Sequence, residues 1–197
     1  MQRLTLTVAF AFAAAAPLAA QSKNNAADVQ FMQGMVFHHA QALEMVALIA
    51  DHTKRPEMQL IGQRISISQH DEIAMMQRWL KEHGEVAPSV DDKNVAHMPD
   101  QSMPGMDMSG GTMMMPGMLT PDQMKALAAA NGNDFDRLFL EGMIQHHNGA
   151  IAMVKTLLNT TGAAQPPQIF TFASDVDADQ RAEIKRMQSV LASLPPK

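Results

Sequence analysis

The chain has 197 residues, with 15 Lys and Arg against 20 Asp and Glu, for a formal charge of −5 with histidines neutral. No strongly basic stretch interrupts this acidic balance, so the electrostatic footprint of a nucleic-acid binder is missing. Cysteine is absent while methionine reaches 19 residues, which excludes thiolate metal sites, iron–sulfur clusters and cysteine nucleophiles.

Residues 1–20 have the layout of a secretory signal peptide. Arg3 supplies the positive charge, Leu4 to Ala16 the apolar run, and Pro17 to Gln21 the small-residue cleavage zone. The run is short and poorly flanked for a spanning helix, and a retained membrane anchor is the alternative reading. The expectation is export to the periplasm, cleavage after Ala20 and no membrane span afterwards. Residues 21–197 are long enough for a single domain with a substantial core.

From Asp28 to Ala50, Phe31, Met35, His38, Ala42, Met45 and Ile49 recur at three- and four-residue steps. That spacing predicts a helix with these side chains on one stripe. The segment from Asp51 to Pro56 stops it. Glu57 to His83 reads as a second helix, with Ile65, Gln69, Glu72, Met76, Leu80 and His83 on one face and Gly84 as its stop. Together these make a first hairpin over residues 28–84. Residues 86–118 lose all periodicity; Pro, Gly, Ser and Asp separate the methionines, as in a long connecting loop.

Thr120, Pro121 and Asp122 read as N-cap, first helical residue and first-turn acid of a short helix ending near Ala130. Asp134 to about Thr160 then repeats the first helix. Asp136 matches Asp28, Phe139 matches Phe31, Met143 matches Met35, His146 and His147 match His38 and His39, and Met153 matches Met45. Pro167 to Ser193 repeats the second helix, with Gln180 for Gln69, Glu183 for Glu72 and Met187 for Met76. The second hairpin therefore covers residues 120–193. Neither hairpin can bury its apolar stripe alone. Packing the two together predicts an all-α four-helix bundle with approximate two-fold symmetry.

That symmetry turns a repeat into a candidate site. On a helix, His38 and His39 point about 100° apart, and Met35 and Met45 share their broad face. Met143, His146, His147 and Met153 do the same in the second copy. One reading is metal binding; the other is that the histidines are hydrogen-bonded core and interface residues. Thioethers select Cu(I), or Ag(I) if offered, and imidazole accepts either copper oxidation state. Zinc without cysteine would need His and carboxylate. A di-iron bundle would need Glu-x-x-His, which the sequence lacks. Gln69, Glu72, Gln180 and Glu183 are polar residues on apolar stripes. They are expected either to orient metal-bound imidazoles or to form a structural polar network.

The connecting loop is a second candidate: His97, Met98, Met103, Met106, Met108, Met113, Met114, Met115 and Met118 lie on a segment with no period to bury them. They read as a collecting surface for Cu(I) or Ag(I), or as an adaptable, oxidisable surface.

The repeated Met-x-x-His-His motif, Met35-x-x-His38-His39 and Met143-x-x-His146-His147, with Gln-x-x-Glu-Ile on each following helix, resembles the bacterial family called domain of unknown function 305. Its copper-binding periplasmic members are of the CopM type. The resemblance covers nearly all of residues 28–192. It implies a ferritin-like bundle, export, and copper held by Met and His. The copies depart at Gln41, where Gly149 stands in the second, so the halves need not bind equally.

The function expected is copper tolerance or trafficking without catalysis, with copper, Cu(I) favoured, as the bound ion. A periplasmic copper donor or acceptor protein is the expected partner. The alternatives are a metal-free interaction module and, behind it, a metal-dependent redox enzyme.

Overall fold

The structure, a computed structural model, describes residues 24–90 and 114–196. The expected signal peptide lies outside the described residues, as do His97, Met98, Met103, Met106, Met108 and Met113. The helices are α1 (Ala26–Ala47), α2 (Ile49–His52), α3 (Pro56–Glu82), α4 (Pro121–Ala129), α5 (Gly132–Asn159) and α6 (Pro167–Ser193). No strand occurs among the described residues; the fold is all-α, as its periodicity predicts.

Local chemistry sets the helix ends. The Asn25 side chain caps α1 by accepting the Ala27 N–H, and Asp28 sits in the first turn. The N–H of Leu48 turns back to the Met45 and Val46 carbonyls, and this tightening divides the first predicted helix into α1 and α2. Proline opens α3, α4 and α6, where a missing N–H costs nothing. Thr120 and Gln123 form a capping box on α4. Gly84, at φ +72°, ends α3. His83 departs from expectation: it is exposed, not core-facing. It lies beyond the last helical residue, so the helical projection no longer holds. Its ring stacks on Trp79 at 4.1 Å.

α1 packs along α3 and α5 along α6, giving the two expected hairpins. They join chiefly through α1 and α5, which run antiparallel: Gly34 lies beside Met153, and Gly142 beside Met45. The remaining seam, between α3 and α6, is the least closely packed of the four. The core is divided. One apolar cluster holds Phe31, Met35, Met76, Trp79, Val154 and Phe172. The other holds Met45, Ile65, Phe135, Phe139, Met143 and Met187. Between them, at mid-bundle, lies a polar layer of His38, His39, His146, His147, Gln69 and Gln180, each no more than 1% exposed, joined by Glu72 and Glu183.

Each hairpin also grips the other's turn. Asp28 Oδ1 accepts the N–H of Ala164 at 2.7 Å, where the backbone is left-handed (φ 53°). Its counterpart Asp136 accepts from Arg55 Nε at 2.7 Å. These contacts sit at opposite ends of the bundle.

Candidate metal centre

The polar layer is built from equivalent turns of four helices. His39 Nε2 donates to Glu72, and His147 Nε2 donates to Glu183 at 2.5 Å. Ser68 Oγ steadies Glu72 from one turn away, at 3.0 Å. The other two histidines bond to backbone. His146 Nε2 donates to the His38 carbonyl at 2.9 Å, and His38 Nε2 donates to the Pro116 carbonyl at 3.0 Å. The His38 and His146 rings face each other with centroids 3.8 Å apart.

All four Nε2 atoms are thus engaged with acceptors, which places a proton on each Nε2 and leaves Nδ1 as the ring nitrogen without a bond. All four Nδ1 atoms are buried without a partner, as are both amide atoms of Gln69 and Oε1 of Gln180. Buried polar groups are nearly always satisfied, so this concentration in one layer is unusual. It fits the donor set of a metal: neutral imidazoles whose far nitrogens are oriented by a carboxylate or carbonyl. Among the sequence candidates, Glu72 and Glu183 take that orienting position. Gln69 and Gln180 are buried beside them, but neither is hydrogen-bonded to a histidine.

The electrostatics keep two of the rings uncharged. Burial first, then repulsion from His39, lowers His38 from 6.5 to about 3; the Pro116 carbonyl opposes this and His147 adds to it. His146 is lowered well below its usual range, again by burial first, then by His38, His147 and His39, against the His38 carbonyl. A neutral imidazole is the form that ligates metal.

The candidate thioethers flank this layer. Met35, Met45 and Met143 are fully buried, and Met153 is partly buried. Met35 belongs to one apolar cluster, Met143 and Met45 to the other. Of the connecting-loop candidates that are described, Met115 is buried, with its sulfur packed against Gly34; Met118 is half-buried and Met114 exposed. Among the described residues, no three His, Asp or Glu side chains are gathered so that they could hold an ion. A metal here would have to draw on the thioethers as well as on Nδ1 atoms.

The seal over the layer was not foreseen from sequence. Residues 114–120 form a strap along the α1–α5 seam. Gln41 holds it by a pair of hydrogen bonds, accepting the Leu119 N–H at 2.8 Å and donating to the Leu119 carbonyl at 3.0 Å. On the other copy, Gly149 admits it: a Cβ there would lie 1.9 Å from the Pro116 carbonyl oxygen. The difference between Gln41 and Gly149 is therefore the signature of an asymmetric strap. One copy clasps it and the other makes room, and Pro116 then caps His38.

Residues 28–191 match the family Domain of unknown function (DUF305), and the chain belongs to it. Its fold is similar to that of a candidate secreted protein of the family from Streptomyces coelicolor, with a TM-score of 0.68 and 28% identity, covering 84% of this chain and 91% of that one. It is also similar to CopM, solved in a Cu(I)-bound form (TM-score 0.60, 25% identity, covering 84% of this chain and 95% of that one) and in a Cu(II)-bound form. A curated relative, an uncharacterised protein of Acanthamoeba polyphaga mimivirus, is 41% identical over 56 residues. That match spans 28% of this chain and 35% of the relative, so the chain covers about a third of that protein's length.

Proposed function

We propose that this member of the DUF305 family binds copper, chiefly Cu(I), with Cu(II) or Ag(I) as further ions it can hold, through the Nδ1 atoms of the mid-bundle histidines and the flanking thioethers. It does so as an exported, periplasmic protein of copper tolerance or trafficking, and it turns over no substrate. The observation that carries this reading is the set of four buried Nδ1 atoms without partners, each ring fixed by a bond from its Nε2. Sulfur donors beside imidazole favour a soft monovalent ion. The likeness to CopM, solved with copper in both oxidation states, adds support. Export rests on the signal-like pattern of residues 1–20. Among the described helices, none is long and apolar enough to cross a membrane.

The test is titration of purified protein with Cu(I) against a chelator of known affinity. It is repeated with a His38/His39/His146/His147→Ala variant and with residues 97–118 deleted. The first change is expected to abolish the tightest binding and the second to lower the stoichiometry. Undiminished binding in both variants would remove the proposed ligands. A second reading, a metal-free polar network, is favoured by the lack of three converging His, Asp or Glu side chains among the described residues. Protein that ignores copper, silver and zinc at micromolar concentration would establish it.

A further inference from the structure

Two faces of the bundle give onto the polar layer, and they differ. The α1–α5 face is shut by the strap, with the Pro116 carbonyl on His38 and Gln41 bonded to Leu119. The α3–α6 face is the loosely packed one, and a cavity of about 500 Å3 opens along it. Met75, Trp79 and Phe172 make its apolar wall, and Asp175, Arg78 and Glu82 lie on its rim. Its lower end reaches Met75 on α3 and Asp175 on α6. One helical turn further stand Glu72 and Asp179.

These acids belong together. Asp179 is exposed, and its carboxyl is raised by partial burial and then by the negative charges of Glu72, Glu183 and Asp175, with Arg186 opposing. Glu72 and Glu183 are the residues bonded to His39 and His147, whose rings are 0% exposed and whose Nδ1 atoms have no partner. A fully buried imidazole whose Nδ1 has no partner stands directly behind each of the two inner carboxylates. Acidic side chains alone would be an ordinary solvated face. Here they form the outer end of a chain of contacts that finishes on two imidazoles, bonded through Nε2 and unpartnered at Nδ1. The internal repeat sharpens the point, because the seam is not symmetric: Ser68 occupies the position matching Asp179, and Arg186 the position matching Met75. Asp179 and the Met75 thioether therefore have no counterpart at the other end of the seam, where Ser68 and Arg186 stand.

We propose that the α3–α6 groove is the route by which a monovalent soft cation reaches the buried histidines, with Asp179 and Asp175 drawing it in and Met75, Glu72 and Glu183 passing it inward. This rests on the copper reading above. Acids outnumber the one cation that lines this groove, Arg78, and a cleft of net negative charge beside an apolar wall raises the local cation concentration and the association rate, less so as salt is added.

The experiment mixes the full protein with Cu(I), supplied as its acetonitrile complex under argon. It is then chased with a strong Cu(I) chelator at successive delays, and the fraction already protected is read by absorbance. The layer's phase is defined as the one missing from a His39→Ala/His147→Ala variant. Asp179→Asn is expected to slow that phase about three- to tenfold at low ionic strength, and by less than about twofold near 0.5 M salt. Its final protected fraction stays unchanged. Asp51→Asn, the same charge change on exposed α2, serves as the control and keeps the wild-type rate. Equal rates for the two single variants would overturn the route. So would a lowered final fraction in Asp179→Asn, since Asp179 would then be a ligand. If wild-type protein has no phase that the double variant lacks, the copper reading itself fails, which is a separate outcome.

Discussion

A buried histidine ordinarily spends both ring nitrogens. His38, His39, His146 and His147 each spend one, and the same one. The Nε2 atoms are fixed by Glu72, Glu183, a helix carbonyl and a strap carbonyl, so the four rings are held with their Nδ1 atoms committed to nothing. The cost should appear in the metal-free protein as sensitivity to acid. His38 titrates at about 3 when folded and near 6.5 when unfolded. Between those values the unfolded chain binds a proton that the folded chain refuses. Stability is therefore fully present above about pH 6.5 and is lost as pH falls towards 3, by about 1.4 kcal/mol per pH unit for one group. His146 shifts in the same direction and adds to the slope. Urea midpoints measured from pH 7 to pH 4 are expected to fall steadily, and His38→Gln to flatten the decline. An equal slope in that variant would mean that His38 is not held neutral by burial.

At the scale of the element, the strap decides which face of the layer is closed. Its fit depends on backbone meeting backbone. Gly117, at φ +79°, turns beneath Gln145, and a Cβ on Gly149 would overlap the Pro116 carbonyl. Gly149→Ala sets two effects against each other. Alanine favours the helix by about 1 kcal/mol, and overpacking costs about 1–3 kcal/mol. Because the obstruction is a peptide group with no rotamer to change, overpacking is expected to win, with net destabilisation of up to about 2 kcal/mol. At Gly142, by contrast, a Cβ meets only the ends of the Leu119 and Met45 side chains, at 3.0 and 3.4 Å. Gly142→Ala should be tolerated better. Urea unfolding ranks the two, and hydrogen exchange at the Leu119 amide should quicken only in Gly149→Ala. The reverse ranking would mean that the strap is not seated on Gly149. The sequence announced the asymmetry, Gln41 against Gly149, but not its meaning, because the partner of both residues lies in a segment without periodicity.

Across the whole molecule, the two hairpins are joined by the α1–α5 seam and by crossing grips at either end. Asp28→Ala strands the Ala164 N–H, which is expected to cost about 1–3 kcal/mol. Asp136→Ala removes the carboxylate partner of Arg55, which keeps its bond to Asn133. That guanidinium remains 26% exposed, so water takes up part of the loss and about 1–2 kcal/mol is expected. The sites share no partner and lie at opposite ends, so urea unfolding of the double variant should show additivity within about 0.5 kcal/mol. A coupling well above that would mean that the grips act through one shared rearrangement. The sequence by itself determined the helices, their pairing into two hairpins and the equivalence of the His-His turns, because apolar periodicity and an internal repeat are local, countable properties. It also singled out Glu72 and Glu183, as carboxylates on otherwise apolar stripes. Only the tertiary structure decided that these carboxylates, and not Gln69 or Gln180, hold the imidazoles. Only it decided that a strap closes one seam while acids line the other. Those outcomes depend on which side chains meet across helices that are distant in the chain, and a helical period fixes the face of a residue without fixing what stands opposite.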